Sequence, residues 1–391
     1  MNGAGSAADF VTRPLLVFWE TTRACQLACR HCRASAMPTA LPGELSTAEG
    51  LRLLDDLADF GRPRPILILT GGDCLMRPDL FDLVEYARGL GIPVAVSPSV
   101  TPNLTRPAMA RLRGLGVKVA SISLDGATAA THDAVRGVPG HFDQTLAAIR
   151  TLVDEGFKVQ VNTTVMRDNV EELADVAALV QGTGAAIWEV FFLIGVGRGA
   201  ASREIGPADA EDVCHFLVDA SRYGFLVRTV EAPFFRRVLA WRRAAERDPA
   251  ARPFSLGPLH AHLSYRLRQR LGPPGGRMAA PSVSTRDGKG IIFVAFDGAV
   301  HPAGFLPLPL GNVRTESLAG LYRDHPLLRA IRGARFSGRC GACELRDLCG
   351  GSRARAFAAS GDPLAEDPAC GYSPAGGLEP VPVASRGARA G

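Results

Sequence analysis

The sequence predicts an α/β fold: a partial (β/α)6 barrel with a small α+β domain at its C-terminal end. Three observations carry this. Six short β-rich runs recur through the first half of the chain, amphipathic helical patterns separate them, and a hairpin signal stands late, at Asp297-Gly298. Strands regularly separated by helices form a parallel sheet with helices on its faces. Six such units make an open, TIM-like barrel, whose active residues sit at the strand C-termini.

Taken in order, "LLVFWET" (15–21) is the first strand, and a cysteine-rich loop follows it. "STAEGLRLLDDLADFG" (46–61) is an amphipathic helix with Ser46 as N-cap and Glu49 three residues on, a capping box. "PILILT" (65–70) is a buried strand, and "RPDLFDLVEYARGLG" (77–91) is a helix that stops at glycine. "PVAVSPS" (93–99), "KVASISLD" (118–125), "KVQVNTTVM" (158–166) and "AIWEVFFLIG" (186–195) complete the strands, with helices at 142–156 and 170–182. Residues 201–289 are less regular. A helix is expected over 209–224, and 252–281 is basic and punctuated by Gly and Pro. "GIIFVAFDGAVHPAGF" (290–305) is two β-runs joined by a tight turn. The expected organisation is a flexible N-terminus (1–13), the barrel (14–200), a helical or linker bridging region rich in Arg (201–289), the small domain (290–375) and a disordered tail (376–391).

At 391 residues and 47% apolar, the chain can bury a large core. A net charge of +5 is small for this length, and no zinc-finger or RNP-like signature accompanies it, so no nucleic-acid partner is expected. No run of 18 apolar residues appears, so no membrane span is expected, and the first residues do not read as a signal peptide. The expected compartment is the cytoplasm, where disulfides are rare. Nine cysteines then need another explanation, and seven fall into two clusters. Metal binding is the leading reading.

"TTRACQLACRHCRASA" (21–36) spaces Cys25, Cys29 and Cys32 as C-x3-C-x2-C. Thiolates are soft ligands, suited to iron–sulfur clusters, zinc or Cu(I). Three of them hold three corners of a cubane and leave one iron free for a small ligand, whereas structural zinc takes four protein ligands. His31, squeezed inside C-x2-C, is poorly placed to be that fourth. "ILILTGGDCLMRPDL" puts Gly71, Gly72 and Asp73 at the end of the second strand. Two glycines permit close approach to the backbone, and a carboxylate accepts hydrogen bonds from an ammonium group. Alone, this tripeptide is equally a plain turn. The second cluster, Cys340, Cys343, Cys349 and Cys370, supplies four thiolates. Its spacing suits either structural zinc or a fully ligated 4Fe–4S cluster.

The cysteine triplet after strand one, with the GG-acidic motif after strand two, resembles the radical S-adenosylmethionine (radical SAM) superfamily. "SISLDGATAATHDAVRGVPGHFDQTLAAI" (121–149) is similar to its fourth-strand signature. The resemblance implies a 4Fe–4S cluster on Cys25, Cys29 and Cys32, with S-adenosylmethionine chelating the open iron. It implies that Gly71, Gly72 and Asp73 receive the methionine amino group. Ser123 and Arg136 would lie at the methionyl carboxylate, Ser97 at the ribose, and His31 and Leu193 at the adenine. "FDGAVHPAGFLPLPLGNV" and the second cysteine cluster resemble the SPASM/twitch extension, which implies one auxiliary 4Fe–4S cluster on Cys340, Cys343, Cys349 and Cys370. Ala303 and Arg353 stand where fuller SPASM domains carry further cysteines. Gln26, His31 and Cys74 also depart from the usual residues, without removing a ligand. Cys74 and Cys214 read as buried small residues.

The likeness is nearest to the branch that modifies tetrapyrrole side chains, in haem d1 formation and the alternative haem pathway. It implies reductive cleavage of S-adenosylmethionine to a 5′-deoxyadenosyl radical, hydrogen abstraction from a carboxylate-bearing substrate, and net oxidation or decarboxylation. A flavodoxin- or ferredoxin-type donor would supply the electron. The alternative is a maturase of a ribosomal peptide, or a modifier of a small metabolite. A non-catalytic metal scaffold is the third class. Arginines concentrate at 236–243 and 266–277, and Arg266 and Arg268 are candidates for pairing substrate carboxylates. Charge runs of this kind are also solvated helix faces.

Overall fold

The computed structural model describes residues 9–248, 250, 253–280 and 285–374. The expected disordered tail (376–391) lies outside them. Of the expected flexible N-terminus, residues 9–12 form a helical turn instead. Phe10 is buried there, and its carbonyl accepts from the Tyr322 hydroxyl at 2.7 Å.

The six expected strands are present: β1 (Leu16–Glu20), β2 (Ile66–Thr70), β3 (Val94–Val96), β4 (Val119–Ser123), β5 (Lys158–Val165) and β6 (Ile187–Phe192). A seventh, β7 (Leu226–Val230), joins them. All neighbours pair in parallel, in the order β1 to β7. The C-terminal region adds β8 (Arg286–Asp287), β9 (Gly290–Val294), β10 (Ala299–His301) and β11 (Gly311–Asn312) to the same sheet, because β9 pairs in parallel with β1. The sheet is open, ending at β7 on one side and β11 on the other. The small domain therefore continues the barrel wall and is not a separate layer.

Burial alternates along the strands. Val17, Trp19, Leu67, Leu69, Trp188, Val190 and Val227 are fully buried, all on the face covered by helices. The capping box forms as read: the Ser46 hydroxyl accepts from the Glu49 N–H at 3.3 Å, and Glu49 Oε2 accepts from the Ser46 N–H at 2.8 Å. The hairpin turn also forms, with Gly298 at φ +83°. The bridging region is largely helical. Helices Pro207–Ala220, Phe235–Arg247 and Pro258–Leu271 surround β7, and the last packs on Leu173–Gly182 and Pro207–Ala220. It belongs to the outer helical layer, since Leu263 and Leu267 seal an apolar stripe against those helices.

Candidate active site

The cysteine loop leaves β1 and folds onto the next strand through its backbone. Gly72 N–H donates to Thr22 C=O (2.8 Å), and Asp73 N–H donates to Ala24 C=O (2.7 Å). Cys25 N–H to Met37 C=O (2.7 Å) and Met37 N–H to Arg23 C=O (2.9 Å) close the loop at its far end. Cys25, Cys29 and Cys32 gather with Leu27, Ala36 and Val138 in one small cluster. The glycines have a reason that the sequence reading missed. A Cβ on Gly72 would lie 2.3 Å from the Ala24 carbonyl oxygen, and one on Gly71 would lie 2.5 Å from that of Thr22. The close approach they permit is that of the cysteine loop itself.

Asp73 is fully buried. Its Oδ2 accepts from the Thr101 hydroxyl (2.7 Å), and its Oδ1 from the N–H groups of Leu75 (3.1 Å) and Ser99 (3.3 Å). Burial pushes its pKa up, against the pull of these donors. The Ser99 hydroxyl donates to Gly72 C=O (3.0 Å) and lies 3.6 Å from Cys25 Sγ. Ser99 and Thr101 are therefore site residues that sequence reasoning passed over; their only signal was a polar loop directly after β3. Ser97 is half-buried at the end of β3, with its N–H on Leu69 C=O (2.9 Å).

On the other side of the triplet, Asp125 after β4 is the organiser. Its Oδ2 meets His31 Nε2 (2.9 Å) and Arg136 (2.5 Å), and its Oδ1 accepts from Thr164 N–H (2.7 Å). Burial opposes its charge, yet Arg136 and His31 together hold the carboxylate well below its usual range. Arg136 also donates to Cys29 Sγ (3.5 Å). Its guanidinium is buried and ties Asp125 to the cysteine loop, while its Nε has no hydrogen-bond partner among the described residues. Ser123 is half-buried at the end of β4, facing Asn162 in register. Leu193, just past β6, is buried with Val135 and Met166, and its carbonyl accepts from Arg355 of the C-terminal region (3.3 Å). A further residue unmarked in the sequence, Arg198, donates to the carbonyls of Cys29 (3.0 Å) and Ala36 (2.9 Å), while its backbone N–H reaches Cys32 C=O (3.0 Å).

The uncovered face of the sheet bears half-buried Phe18, Ile68 and Phe191. Arg33, next to Cys32, lies over the Phe293 ring at 4.5 Å and pairs with Glu20 at 3.3 Å. Phe305 approaches Phe191 at 6.1 Å, so the loop after β10 reaches across the barrel mouth. Arg228 on β7 faces Glu189 on β6 in register and is exposed. The Arg266 and Arg268 expectation is corrected. Arg266 pairs with Asp175 (2.5 Å) in the outer helical layer, and Arg268 is exposed on the same helix. Arg33, paired with Glu20, and Arg228, opposite Glu189, are cations on strands and loops lining the barrel.

The second cysteine centre is a small pocket of about 30 Å³, open to solvent, lined by Cys340, Cys343, Cys349 and Cys370. Burial pushes Cys349 up to about 11 and Cys370 up to about 12. Thiols held neutral by burial, in one cavity, become ligands only when a cation offsets the lost hydration. Four thiols on one pocket are the donor chemistry of a four-thiolate centre, although among the described residues no three Cys, His, Asp or Glu side chains stand close enough together to hold a metal ion as placed. Arg353 is fully buried beside it, donating to Cys340 Sγ (3.6 Å) and to the carbonyls of Ala365 (2.6 Å) and Pro363 (3.1 Å). Asp367 N–H also donates to Cys340 Sγ (3.4 Å). Cys74 and Cys214 are buried in the apolar core, as expected.

Comparison with known proteins settles the family. The radical SAM superfamily signature matches residues 19–180. An AdoMet-dependent heme synthase of Nitratidesulfovibrio vulgaris is 38% identical over 363 residues, 92% of each chain. The chain belongs to the radical SAM superfamily. It is an enzyme of that family, whose members use S-adenosylmethionine and a 4Fe–4S cluster. A pre-heme d1 synthase of Dinoroseobacter shibae is 32% identical, covering 91% of this chain and 85% of its own. Among solved structures, Streptococcus suis SuiB bound to S-adenosylmethionine superposes with a TM-score of 0.67 at 15% identity, over 92% of this chain and 78% of SuiB. That likeness is one of fold, a radical SAM partial barrel with its sheet left open. Among the described residues, no helix is long and apolar enough to cross a membrane.

Proposed function

We propose that this radical SAM enzyme oxidatively removes carboxylate groups from propionate side chains of an iron tetrapyrrole, forming haem. The observation that carries the reading is the 38% identity to a heme synthase across 92% of both chains. The apolar inner face beneath Phe191, Phe293 and Phe305, with Arg33 and Arg228 at its margins, supports a large flat ligand bearing carboxylates.

Cys25, Cys29 and Cys32 hold the first 4Fe–4S cluster, and Cys340, Cys343, Cys349 and Cys370 hold one auxiliary cluster. When bound, the first cluster would supply the electron that cleaves S-adenosylmethionine to methionine and the species that takes one hydrogen atom from the substrate; the electron left behind as CO2 departs would need a one-electron acceptor, for which the auxiliary cluster is the proposed candidate. The chain's own residues do the positioning. The Gly71–Asp73 segment meets the methionine amino group, and Ser97, Ser123, His31 and Leu193 border the rest of the cofactor. Arg136 and Arg198 hold the cysteine loop in place. Arg33 and Arg228 pair the substrate carboxylates and set the reacting carbon near the cofactor. The loop over the barrel mouth keeps water out. Arg353 places positive charge beside the auxiliary thiolates. A flavodoxin- or ferredoxin-type protein is the proposed electron donor.

The test is anaerobic reconstitution followed by dithionite reduction with S-adenosylmethionine and iron-coproporphyrin III. Formation of 5′-deoxyadenosine with loss of carboxyl groups from the porphyrin is expected, and C29A abolishes both. Nucleoside without any change in the porphyrin removes the tetrapyrrole assignment and keeps the family chemistry.

A further inference from the structure

The ends of β3 and β4 are joined by two buried imidazoles that the proposed chemistry does not use. His132 is fully buried and His141 is 2% exposed. The Asp125 backbone N–H donates to His132 Nδ1 at 3.1 Å. His132 therefore carries its proton on Nε2, which lies 2.9 Å from His141 Nδ1. His141 Nε2 in turn donates to Val100 C=O at 3.0 Å. One assignment of protons satisfies all three bonds, and it makes both rings neutral. The rings lie nearly parallel, at 13° with centroids 5.2 Å apart, edge to edge through that bond, and the Thr145 hydroxyl lies 3.1 Å from His141 Nδ1 and 3.3 Å from His132 Nε2. Burial, with Arg136 nearby, holds His132 down at about 3, and burial lowers His141 as well.

The endpoints of this chain of bonds are the two clamps of the site. Val100 sits between Ser99 and Thr101, which hold Asp73 and Gly72. Asp125 holds His31 and Arg136, and Arg136 reaches Cys29. Ser99 and the Gly72–Asp73 backbone touch the near end of the cysteine loop at Cys25, Thr22 and Ala24, whereas the histidine pair runs from Val100 to Asp125, behind its far end. We infer that His132 and His141 are positioning residues, which set the spacing of the Asp73 clamp relative to the cysteine-loop clamp and thereby the binding geometry for S-adenosylmethionine. The inference rests on the reading that this site takes S-adenosylmethionine.

Its test is calorimetric S-adenosylmethionine binding to the anaerobically reconstituted full chain, with Tm and cluster iron measured in parallel. H141F fills the space but breaks both bonds. It is expected to weaken binding roughly 10–100-fold, the usual scale for residues that orient ligands from behind. H141Q keeps an acceptor and a donor and is expected to bind within a few-fold of wild type. Should H141F not fold, H141N replaces it, because its amide is one carbon too short to span both bonds. H141F binding as tightly as wild type overturns the inference. Equal losses in H141Q and H141F, tracking a fall in Tm, also overturn it, by reducing the pair to packing. A wild-type chain that takes up iron but binds no S-adenosylmethionine sinks the functional reading as well; loss confined to H141F sinks neither.

Discussion

The two cysteine centres differ in how far backbone holds them. In the first, peptide N–H groups of Gly72, Asp73 and Arg198 dock on carbonyls of the cysteine loop, at 2.8, 2.7 and 3.0 Å, and the Arg136 and Arg198 side chains add to that frame at Cys29 and Ala36. The second is held by buried arginine side chains. Arg353 ties Gly351, Pro363 and Ala365 together, and Arg286 donates to the carbonyls of Arg346 and Cys349 at 3.0 Å. A backbone cradle tolerates no added atom at its contacts, whereas a side-chain cradle brings positive charge to the thiolates. The first loop can thus leave one coordination position open and still keep its shape. The second surrounds its four thiols and adjusts their charge.

The sharpest way to break this contrast is G72A. Its Cβ would meet the Ala24 carbonyl at 2.3 Å with no flexible atom to yield. We expect loss of about 3 kcal/mol or more of stability and no 5′-deoxyadenosine formation. A G72A protein with normal iron and turnover would show that the backbone cradle is dispensable. Next, C29A and C340A should each lose roughly half the bound iron if, as proposed, each cysteine set holds one four-iron cluster. C29A should make no nucleoside, while C340A still cleaves S-adenosylmethionine. Zinc in place of iron at either site, by elemental analysis, would contradict the assignment.

R353M removes a fully buried charge and leaves the Pro363 and Ala365 carbonyls without their donor. Denaturant unfolding should show a loss of about 3 kcal/mol, with the auxiliary cluster's EPR signal altered and the first cluster's unchanged. If both signals change alike, the two cradles are not independent.

A smaller effect comes from Glu211, which pairs with Arg237 on the wall of the second centre at 2.7 Å. Burial raises its pKa, but hydrogen bonds from His215 and Arg237 overcome this and hold it at about 2, below the ordinary 4.5. A depressed carboxylate adds stability that is present above the unfolded pKa and lost as pH falls through the folded one. The loss should run from about pH 4.5 to about pH 2 and amount to roughly 2 kcal/mol. In E211Q that stretch of the pH–stability curve should flatten; an unchanged slope would remove the pair from the account. Smallest of all is R266A. Its guanidinium is 40% exposed and serves an outer ion pair. We expect a stability change under about 1 kcal/mol and unaltered KM for the substrate. A raised KM would restore Arg266 to the substrate site, whereas R228A is the variant expected to raise it.

Much of this was legible along the chain. The six strands, the capping box and the turn at Asp297-Gly298 follow from period, cap and turn chemistry within a few residues of each other. The two cysteine sets were grouped by their spacing, and each does come together in the fold. β7 was missed because "LVRTV" is short and its inward Arg228 interrupts the apolar pattern. Ser99, Thr101, Asp125 and Arg198 were missed because each acts on a partner far away in sequence, such as Arg198 on Cys29.

By itself, then, the sequence determined which elements form and which chemistry the thiols can support, since both depend on neighbours a few positions away. Only the tertiary structure decided which arginines face the barrel interior, what the two glycines make room for, and that β9 joins β1 to carry the second centre on the same sheet. Those outcomes depend on contacts between distant segments, where burial and backbone pairing choose among side chains that look alike in one dimension.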